Sequence, residues 1–291
     1  MDHTLEPIQS HAAPLPLHSE PIAVREYRPR VALPVALFLI TCWSTWASTG
    51  GSLAYAIAVM TILLAHEMGH YLQARRYRVP ASLPYFIPMP GSPIGTMGAV
   101  IGMQPGIGNR RSLFDIGVSG PLAGLVPTLI FSIVGIYWST FEPIAAHPLV
   151  MRLGEPLLFK ALAYLIHGPA PIGYELALHP VAFAGWVGMF ITALNLIPIG
   201  QLDGGHVLYA LLRERAHGIA QALLILAMAG VVLYGYWGWS LMILLLMLMG
   251  PIHPPTADDS VELGTARKII GWASLAFVPL GFTPVPFQFP M

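Results

Sequence analysis

The chain has 291 residues, of which 55% are hydrophobic and only 10% are charged, and its mean hydropathy is +0.66. Soluble domains carry about 25% charged residues, so this composition predicts a polytopic membrane protein and excludes a soluble enzyme. The formal net charge is zero and no basic tract occurs, which argues against nucleic acid as a partner. Cys42 is the single cysteine, so neither an intrachain disulfide nor a thiolate metal site can form.

Six apolar segments approach the length of about 20 residues that a helix needs to cross a bilayer. They predict an all-α fold with about six transmembrane helices, at residues 31–48, 52–74, 112–138, 181–199, 219–236 and 238–250. Residues 1–30, which are polar and proline-rich, predict a flexible cytoplasmic tail before the transmembrane domain, 31–250. Residues 251–291 predict a cytoplasmic or interfacial segment, in which 269–282 either forms a further tilted span or lies on the interface.

Lysine and arginine residues give the predicted orientation, because cytoplasmic loops of membrane proteins carry an excess of both. With residues 1–30 in the cytoplasm and six alternating spans, 12 of the 14 cations lie on the cytoplasmic side. Arg152 and Lys160 then lie outside. This orientation puts the end of the second span on the cytoplasmic side of the membrane.

The second span contains "LLAHEMGHYL", with His66, Glu67 and His70 in an apolar surrounding. Histidines four positions apart project from one face of a helix. Two imidazoles, a carboxylate and an open position are typical of catalytic zinc, and Glu67 suits a general base that is not itself a ligand, as in the H-E-x-x-H motif. The alternatives are polar packing contacts and bis-histidine haem ligation, which normally takes its histidines from two facing helices.

Residues 79–104, after the second span, are apolar but too rich in proline and glycine to form a continuous helix. Within them, "TMGAVIGM" suits a short strand. Non-helical backbone at membrane depth must be shielded by protein or by a water cavity. We therefore predict a re-entrant, β-hairpin-like segment beside the second span; the alternative is a hydrophobic turn resting on the interface. The outer loop, 139–180, contains a predicted interfacial helix at 156–167.

The stretch "NLIPIGQLDGGH" at residues 195–206 supplies the best third ligand, Asp203, on the same predicted side as "HEMGH". Its proline and glycines break the helix and let the carboxylate turn back into the helix bundle. The alternative is that Asp203 caps the helix that runs through "HVLYALL". Asp115 is a rival ligand, but it follows Ser112 by three residues and better fits a capping box.

These motifs resemble the site-2 protease family of intramembrane zinc metallopeptidases. The resemblance covers residues 52–212 and includes the glycine-rich "GVSGPLAG", in which Gly120 and Gly124 permit close helix approach. Three further stretches, "SPIGTMGAVI", "GPIHPPTADD" and "GFTPVPF", resemble the chloroplast-type branch of the family and its bacterial relatives.

The resemblance assigns His66, His70 and Asp203 to one zinc ion per chain, and it makes Glu67 catalytic. It also assigns Asn195 to the substrate or to the developing oxyanion, whereas the alternative for Asn195 is an interhelical hydrogen bond.

The function that the resemblance implies is hydrolysis of peptide bonds in membrane-embedded substrate helices near the cytoplasmic side. The expected partners are transmembrane proteins and the lipid bilayer, and the expected location is the cytoplasmic membrane of a bacterium. An exposed edge of "GTMGAVI" is expected to hold unwound substrate by strand addition. The alternative is a non-enzymatic membrane protein, either a pseudoprotease that binds clients or a metal carrier. The sequence indicates no oligomeric state.

Overall fold

The structure is a computed structural model that describes residues 31–103, 108–144 and 151–288. The predicted tail, 1–30, lies outside these ranges. Helices account for most of the described chain: α1 (Ala32–Ser48), α2 (Leu53–Arg76), α3 (Arg110–Trp138), α4 (Leu157–His167), α5 (Pro180–Asn195), α6 (Asp203–Leu212), α7 (Arg215–Tyr234), α8 (Ser240–Met249), α9 (Gly264–Leu275) and α10 (Val278–Gly281). A 3₁₀ turn, Trp237–Trp239, precedes α8.

In the part of the chain that the structure describes, short strands form three two-stranded antiparallel sheets: β1 (Tyr85–Pro88) with β2 (Thr96–Val100), β3 (Thr140–Pro143) with β5 (Tyr174–Ala177), and β4 (Arg152–Leu153) with β6 (Phe287–Gln288). The β1–β2 hairpin lies within the segment 79–104, for which a hairpin-like, re-entrant structure was predicted; the antiparallel pairing is present, and its re-entrant position is not confirmed. The other two sheets correct the all-α prediction for the outer loop. Strands of two to four residues are too short to show a period of two in the sequence.

Within the described residues, three helices, α2, α3 and α7, are long and apolar enough to cross a membrane. The helices α1, α4 and α5 and the stretch 237–249 are apolar but have 10–17 residues. The helix of the fourth predicted span, for example, ends at Asn195: the Ile197 amide donates to the Leu194 carbonyl, and Pro198 has no amide hydrogen with which the helix could continue. These helices fit a multi-pass membrane protein, but the count of six spans is not confirmed.

Helices α2, α3 and α5 pack together through glycine. A Cβ at Gly69 of α2 would collide with the Ser119 carbonyl of α3, and Ser119 Oγ donates to the Gly69 oxygen at 3.0 Å. A Cβ at Gly185 of α5 would likewise collide with the Ser132 backbone. Because glycine has no side chain, the backbones of neighbouring helices can approach closely, which favours helix packing in an apolar solvent. The three helices therefore form the centre of the fold.

The tip of the β1–β2 hairpin is attached to the first two helices. Ser44 Oγ donates to the Gly95 carbonyl at 2.7 Å, and Tyr55 Oη donates to the Ile94 carbonyl at 2.7 Å. Gly95 has φ +82°, a conformation that glycine adopts without steric cost. The hairpin therefore has a fixed position beside α2, and its depth in the membrane remains a prediction.

Asp115 does not have the predicted capping role. The N-cap of α3 is Asn109, whose Oδ1 accepts a hydrogen bond from the Ser112 amide at 2.9 Å. Asp115 instead accepts two hydrogen bonds from Arg267 of α9, at 2.7 and 2.8 Å, and one from the Tyr77 hydroxyl. Its carboxylate is therefore engaged in an ion pair that ties α9 to the N-terminal part of α3.

The C-terminal segment runs alongside the helical core from one end towards the other. It begins at Arg267, beside Asp115 near the start of α3, and reaches Phe287, which pairs with Leu153 in the loop beyond the end of α3. Trp186 of α5 joins this second end, because its indole donates to the Gly154 carbonyl at 2.7 Å. The α9–α10 segment thus connects the two ends of the bundle.

Candidate metal centre

His66, His70 and Asp203 form a cluster that could hold a metal ion, as their ligand atoms all lie within 4.8 Å of one another. The two histidines lie one turn apart on α2 and are buried, with exposed fractions of 3% and 6%. Asp203 begins α6 and places Oδ2 at 3.1 Å from His66 Nε2 and Oδ1 at 3.2 Å from His70 Nε2. The structure therefore brings together the three ligands predicted from the sequence.

Asp203 reaches the histidines because the chain turns sharply between α5 and α6. Gly200 has φ +59°, and a Cβ at Gly204 would collide with the Leu196 backbone. Leu202 occupies the N-cap of α6, and Asp203 is the first helical residue. The capping interpretation of Asp203 is therefore wrong, and its carboxylate is directed to the imidazoles.

The donor set fits zinc. His70 Nδ1 lies 2.8 Å from the Ile116 carbonyl oxygen, which can only accept, so Nδ1 carries the proton and Nε2 keeps a lone pair for a metal. The two Nε2 atoms lie 3.2 Å apart. Two nitrogens on one tetrahedral zinc, at 2.0–2.1 Å each, would lie about 3.4 Å apart. Two imidazoles and a carboxylate at these distances match a catalytic zinc site with an open position.

Glu67 and Asn195 also lie at this centre. Glu67 is buried, with an exposed fraction of 5%, and lines the same cavity as the three ligands. Asn195, the last residue of α5, places Nδ2 3.4 Å from His66 Nε2. This distance joins α5 to α2, so it agrees with an interhelical contact as well as with a position beside the substrate. The roles of both residues remain predictions.

A cavity of about 380 Å³ opens onto the cluster. The residues that line it include Ala99 and Val100 of β2 and residues 253–256. Binding sites for small ligands commonly measure about 300–1,000 Å³. The cavity therefore has room for a short stretch of extended chain between β2 and the metal ligands.

Glycines of α3 lie directly against the histidine rings. A Cβ at Gly120 would collide with the His70 ring, and a Cβ at Gly124 would lie 3.0 Å from the His66 Cβ. The predicted close approach at these two glycines is confirmed, and what they accommodate is the two ligand side chains. Helix α3 thereby forms the back wall of the metal centre.

Two histidines of the cavity wall were not predicted from the sequence as residues of the site. His206 lies one turn after Asp203 on α6, and its Nδ1 lies 2.7 Å from Nε2 of His253. Both line the cavity. The three-residue spacing from Asp203 could have indicated His206. No local signal could have indicated His253, which is 47 residues further along the chain.

The family model described as "Peptidase family M50" matches residues 54–235. Among curated proteins, "Probable zinc metalloprotease EGY1, chloroplastic" of Arabidopsis thaliana is 32% identical over 80% of this chain and 43% of its own length. Its namesake in Oryza sativa subsp. japonica is also 32% identical, over 80% of this chain and 41% of its own length. "Probable zinc metalloprotease EGY2, chloroplastic" of Arabidopsis thaliana is 28% identical over 80% and 42%.

The chain therefore spans about two fifths of the length of the curated relatives it matches. No solved structure matches it. All three relatives are chloroplast proteins of plants, and they do not support the predicted bacterial location.

Proposed function

The chain belongs to peptidase family M50, the site-2 protease family, and from this membership we propose that it is a zinc metalloendopeptidase that hydrolyses membrane-embedded substrate helices near the cytoplasmic side. The observation that carries this proposal is the position of Asp203. Its carboxylate lies within 3.2 Å of both histidines on α2, although 137 residues separate it from His66.

His66, His70 and Asp203 would hold the zinc ion through two imidazole nitrogens and a carboxylate. When bound, zinc acts as a Lewis acid that polarises a carbonyl group and makes water a nucleophile at neutral pH. Glu67 is the general base: it takes a proton from the attacking water and later delivers it to the leaving amine. The Asn195 amide donates to the oxyanion that develops on the scissile carbonyl.

The substrate is proposed to bind as an extended chain along β2. A helix hides its peptide bonds in internal hydrogen bonds, so the scissile stretch must unwind before attack. Strand β2 pairs with β1 on one side, and its residues Ala99 and Val100 line the cavity. A substrate strand added to the edge of β2 opposite β1, which pairs with no other strand of the described residues, would satisfy the unwound backbone and lie beside the metal ligands.

Two membranes are proposed as the location, with the same orientation in each. The sequence resemblance favours the cytoplasmic membrane of a bacterium, whereas the three plant relatives are named as chloroplastic. In both cases the metal centre is proposed to face the side that carries most of the lysine and arginine residues.

The variant Glu67→Gln tests this function. Purified wild-type protein should contain one zinc ion per chain, measured by elemental analysis. It should cleave members of a set of single-span reporters whose transmembrane helices carry a helix-breaking Asn-Gly pair at different depths. Glu67→Gln should keep its zinc, because Glu67 is not a ligand, and should lose at least about a hundredfold in rate, the usual contribution of a general base.

The matched control is Glu155→Gln, which changes an exposed glutamate that pairs with Lys160 in the outer loop. It should cleave at the wild-type rate. Wild-type protein without zinc, or cleavage by Glu67→Gln at the wild-type rate, would overturn the proposal. Zinc binding without cleavage of any reporter would favour the pseudoprotease or the metal carrier.

A further inference from the structure

His206 and His253 form a hydrogen-bonded pair on the cavity wall outside the ligand cluster. The two rings meet edge to face, with centroids 4.9 Å apart. His253 Nδ1 lies 2.6 Å from the carbonyl oxygen of Pro254, and His253 Nε2 lies 2.7 Å from His206 Nδ1. Both ring nitrogens of His253 are thus engaged, whereas this pairing uses only one nitrogen of His206.

The proton positions of the pair follow from its fixed end. The Pro254 carbonyl can only accept, so His253 Nδ1 carries a proton. Burial lowers the pKa of His253, which favours the neutral ring and leaves a lone pair on its Nε2. His206 Nδ1 must then donate to that lone pair. In a neutral His206, the second nitrogen, Nε2, consequently bears a lone pair and is a hydrogen-bond acceptor.

Several contacts hold His253 in place. Its ring stacks on Tyr209, with centroids 4.6 Å apart, and the Tyr209 hydroxyl donates to Asp259 at 2.7 Å. His217 Nε2 donates to the His253 carbonyl oxygen at 3.1 Å. His253 itself is buried, with an exposed fraction of 6%. The ring stacking on Tyr209 and the hydrogen bond from His217 therefore hold His253 in a fixed position beside His206.

The backbone around His253 is fixed at both ends. The Gly200 amide donates to Pro251 O at 3.2 Å, next to the turn that carries Asp203. Further along, the Ala257 amide donates to Gly108 O at 2.9 Å, and the Arg110 amide donates to Asp258 O at 3.1 Å. The segment 251–258 therefore closes one wall of the cavity at a defined distance from α6.

We infer that His206 binds substrate by accepting a hydrogen bond from a backbone N–H of the extended chain in the cavity, and that His253 is the positioning residue that sets the ring orientation and tautomer of His206. This inference rests on the proposed function, and it deepens it by naming a substrate contact on α6, at the side of the cavity where His206 meets His253 of the segment 251–258. An unwound chain exposes one N–H at each residue other than proline, and an N–H buried without a partner is costly. One edge of the substrate strand faces β2, so N–H groups on its other edge need acceptors elsewhere.

The test uses two substitutions that distinguish the roles of the two ring nitrogens of His206. In His206→Gln the side-chain amide reaches the position of Nε2, and in His206→Asn it reaches that of Nδ1. Each variant is made in the full chain and assayed for zinc content and for kcat and KM on the reporter that wild-type protein cleaves. Each is also combined with Glu67→Gln, and the affinity of the uncleaved reporter is then measured directly.

All variants should keep one zinc ion per chain. His206→Asn should weaken reporter binding and raise KM about tenfold, the usual effect of losing one hydrogen bond to a buried group. His206→Gln should retain most of the affinity. His253→Gln, which keeps an acceptor near the position of Nε2, should be milder than His253→Ala. The control, His167→Gln, changes a histidine that bonds the Ile136 carbonyl at the far end of α3 and should match wild type.

Equal affinity in His206→Asn, His206→Gln and wild-type protein would overturn the inference, while leaving the proposed function intact if Glu67→Gln is inactive. Loss of zinc in both His206 variants would also overturn it, since His206 would then support the metal and not the substrate. Failure of wild-type protein to cleave any reporter would instead count against the proposed function.

Discussion

At the scale of single residues, the metal centre depends on the absence of side chains as much as on the ligands themselves. Gly120 and Gly124 of α3 face the rings of His70 and His66, where a larger residue has no space. The Ile116 carbonyl of the same helix fixes the tautomer of His70. Pro121 follows Gly120 within α3. This part of α3 therefore combines a residue without a side chain and a residue without an amide hydrogen.

Replacing Gly120 with alanine should therefore displace the His70 ring and weaken zinc binding by about tenfold to a hundredfold, as changes around metal ligands commonly do. Elemental analysis of the purified variant, after dialysis against a zinc buffer of fixed free concentration, measures this loss. Gly218→Ala is the matched control, because a Cβ at Gly218 of α7 would meet no atom within 4 Å. Full zinc occupancy in Gly120→Ala at limiting zinc would contradict the expected collision.

At the scale of elements, β2 has the central position. It borders the cavity beside the metal ligands, and its hairpin is fixed to α1 and α2 through the carbonyls of Gly95 and Ile94. A strand that was free to move could not hold a peptide bond in register with the reacting groups. If substrate binds along β2 as proposed, the attachments of the hairpin would keep that strand in place.

A photoreactive amino acid at Val100 should cross-link to the uncleaved reporter in the Glu67→Gln background. Val100 lines the cavity and has an exposed fraction of 53%, so the probe has both access and space. The same amino acid at Leu165 of α4, which is 78% exposed, reports contacts that arise from exposure alone. Cross-linking at Leu165 as strong as at Val100, seen by a shift in gel mobility, would argue against substrate binding along β2.

At the scale of the whole molecule, local patterns in the sequence predicted the cluster of candidate metal ligands better than they predicted the architecture. The clustering of His66, His70 and Asp203 was predictable because H-E-x-x-H uses one helix face and because helix-breaking residues around Asp203 are conspicuous. The pairing of β4 with β6 was not predictable, since it joins residues 152–153 to residues 287–288 through two pairs of strand residues. The same holds for Arg267, whose partner Asp115 is 152 residues away.

Those two long-range contacts bear on the topology. If Asp115 lies on the side rich in cations and Leu153 lies on the opposite side, the segment from Arg267 to Phe287 has to cross the membrane. Its helices α9 and α10 reach from one end of the bundle towards the other. This favours a further span over an interfacial segment for residues 269–282.

Labelling of single cysteines tests this topology in a Cys42→Ser background. We expect Lys160→Cys and Gln288→Cys to react with a membrane-impermeant maleimide from one side of sealed vesicles, and Arg76→Cys to react from the other side. All three positions are exposed, so each thiol is accessible to the reagent. Labelling of Gln288→Cys together with Arg76→Cys would instead place the C-terminal segment wholly on the cytoplasmic side.

The buried side chain of Arg110 has a mechanical consequence. Its guanidinium donates to the carbonyls of Ala210 and Leu211, at 2.6 and 3.0 Å, and so clamps the last turn of α6 to the first turn of α3. Asp203 starts α6, and α3 in turn holds both ligand histidines through its glycines. Helices α2 and α6, which carry the candidate ligands, and helix α3, which packs against them, should therefore move as one rigid body. The metal geometry would then be insensitive to motions at the periphery, and turnover would be governed by how often a substrate gains access to a centre that is already assembled.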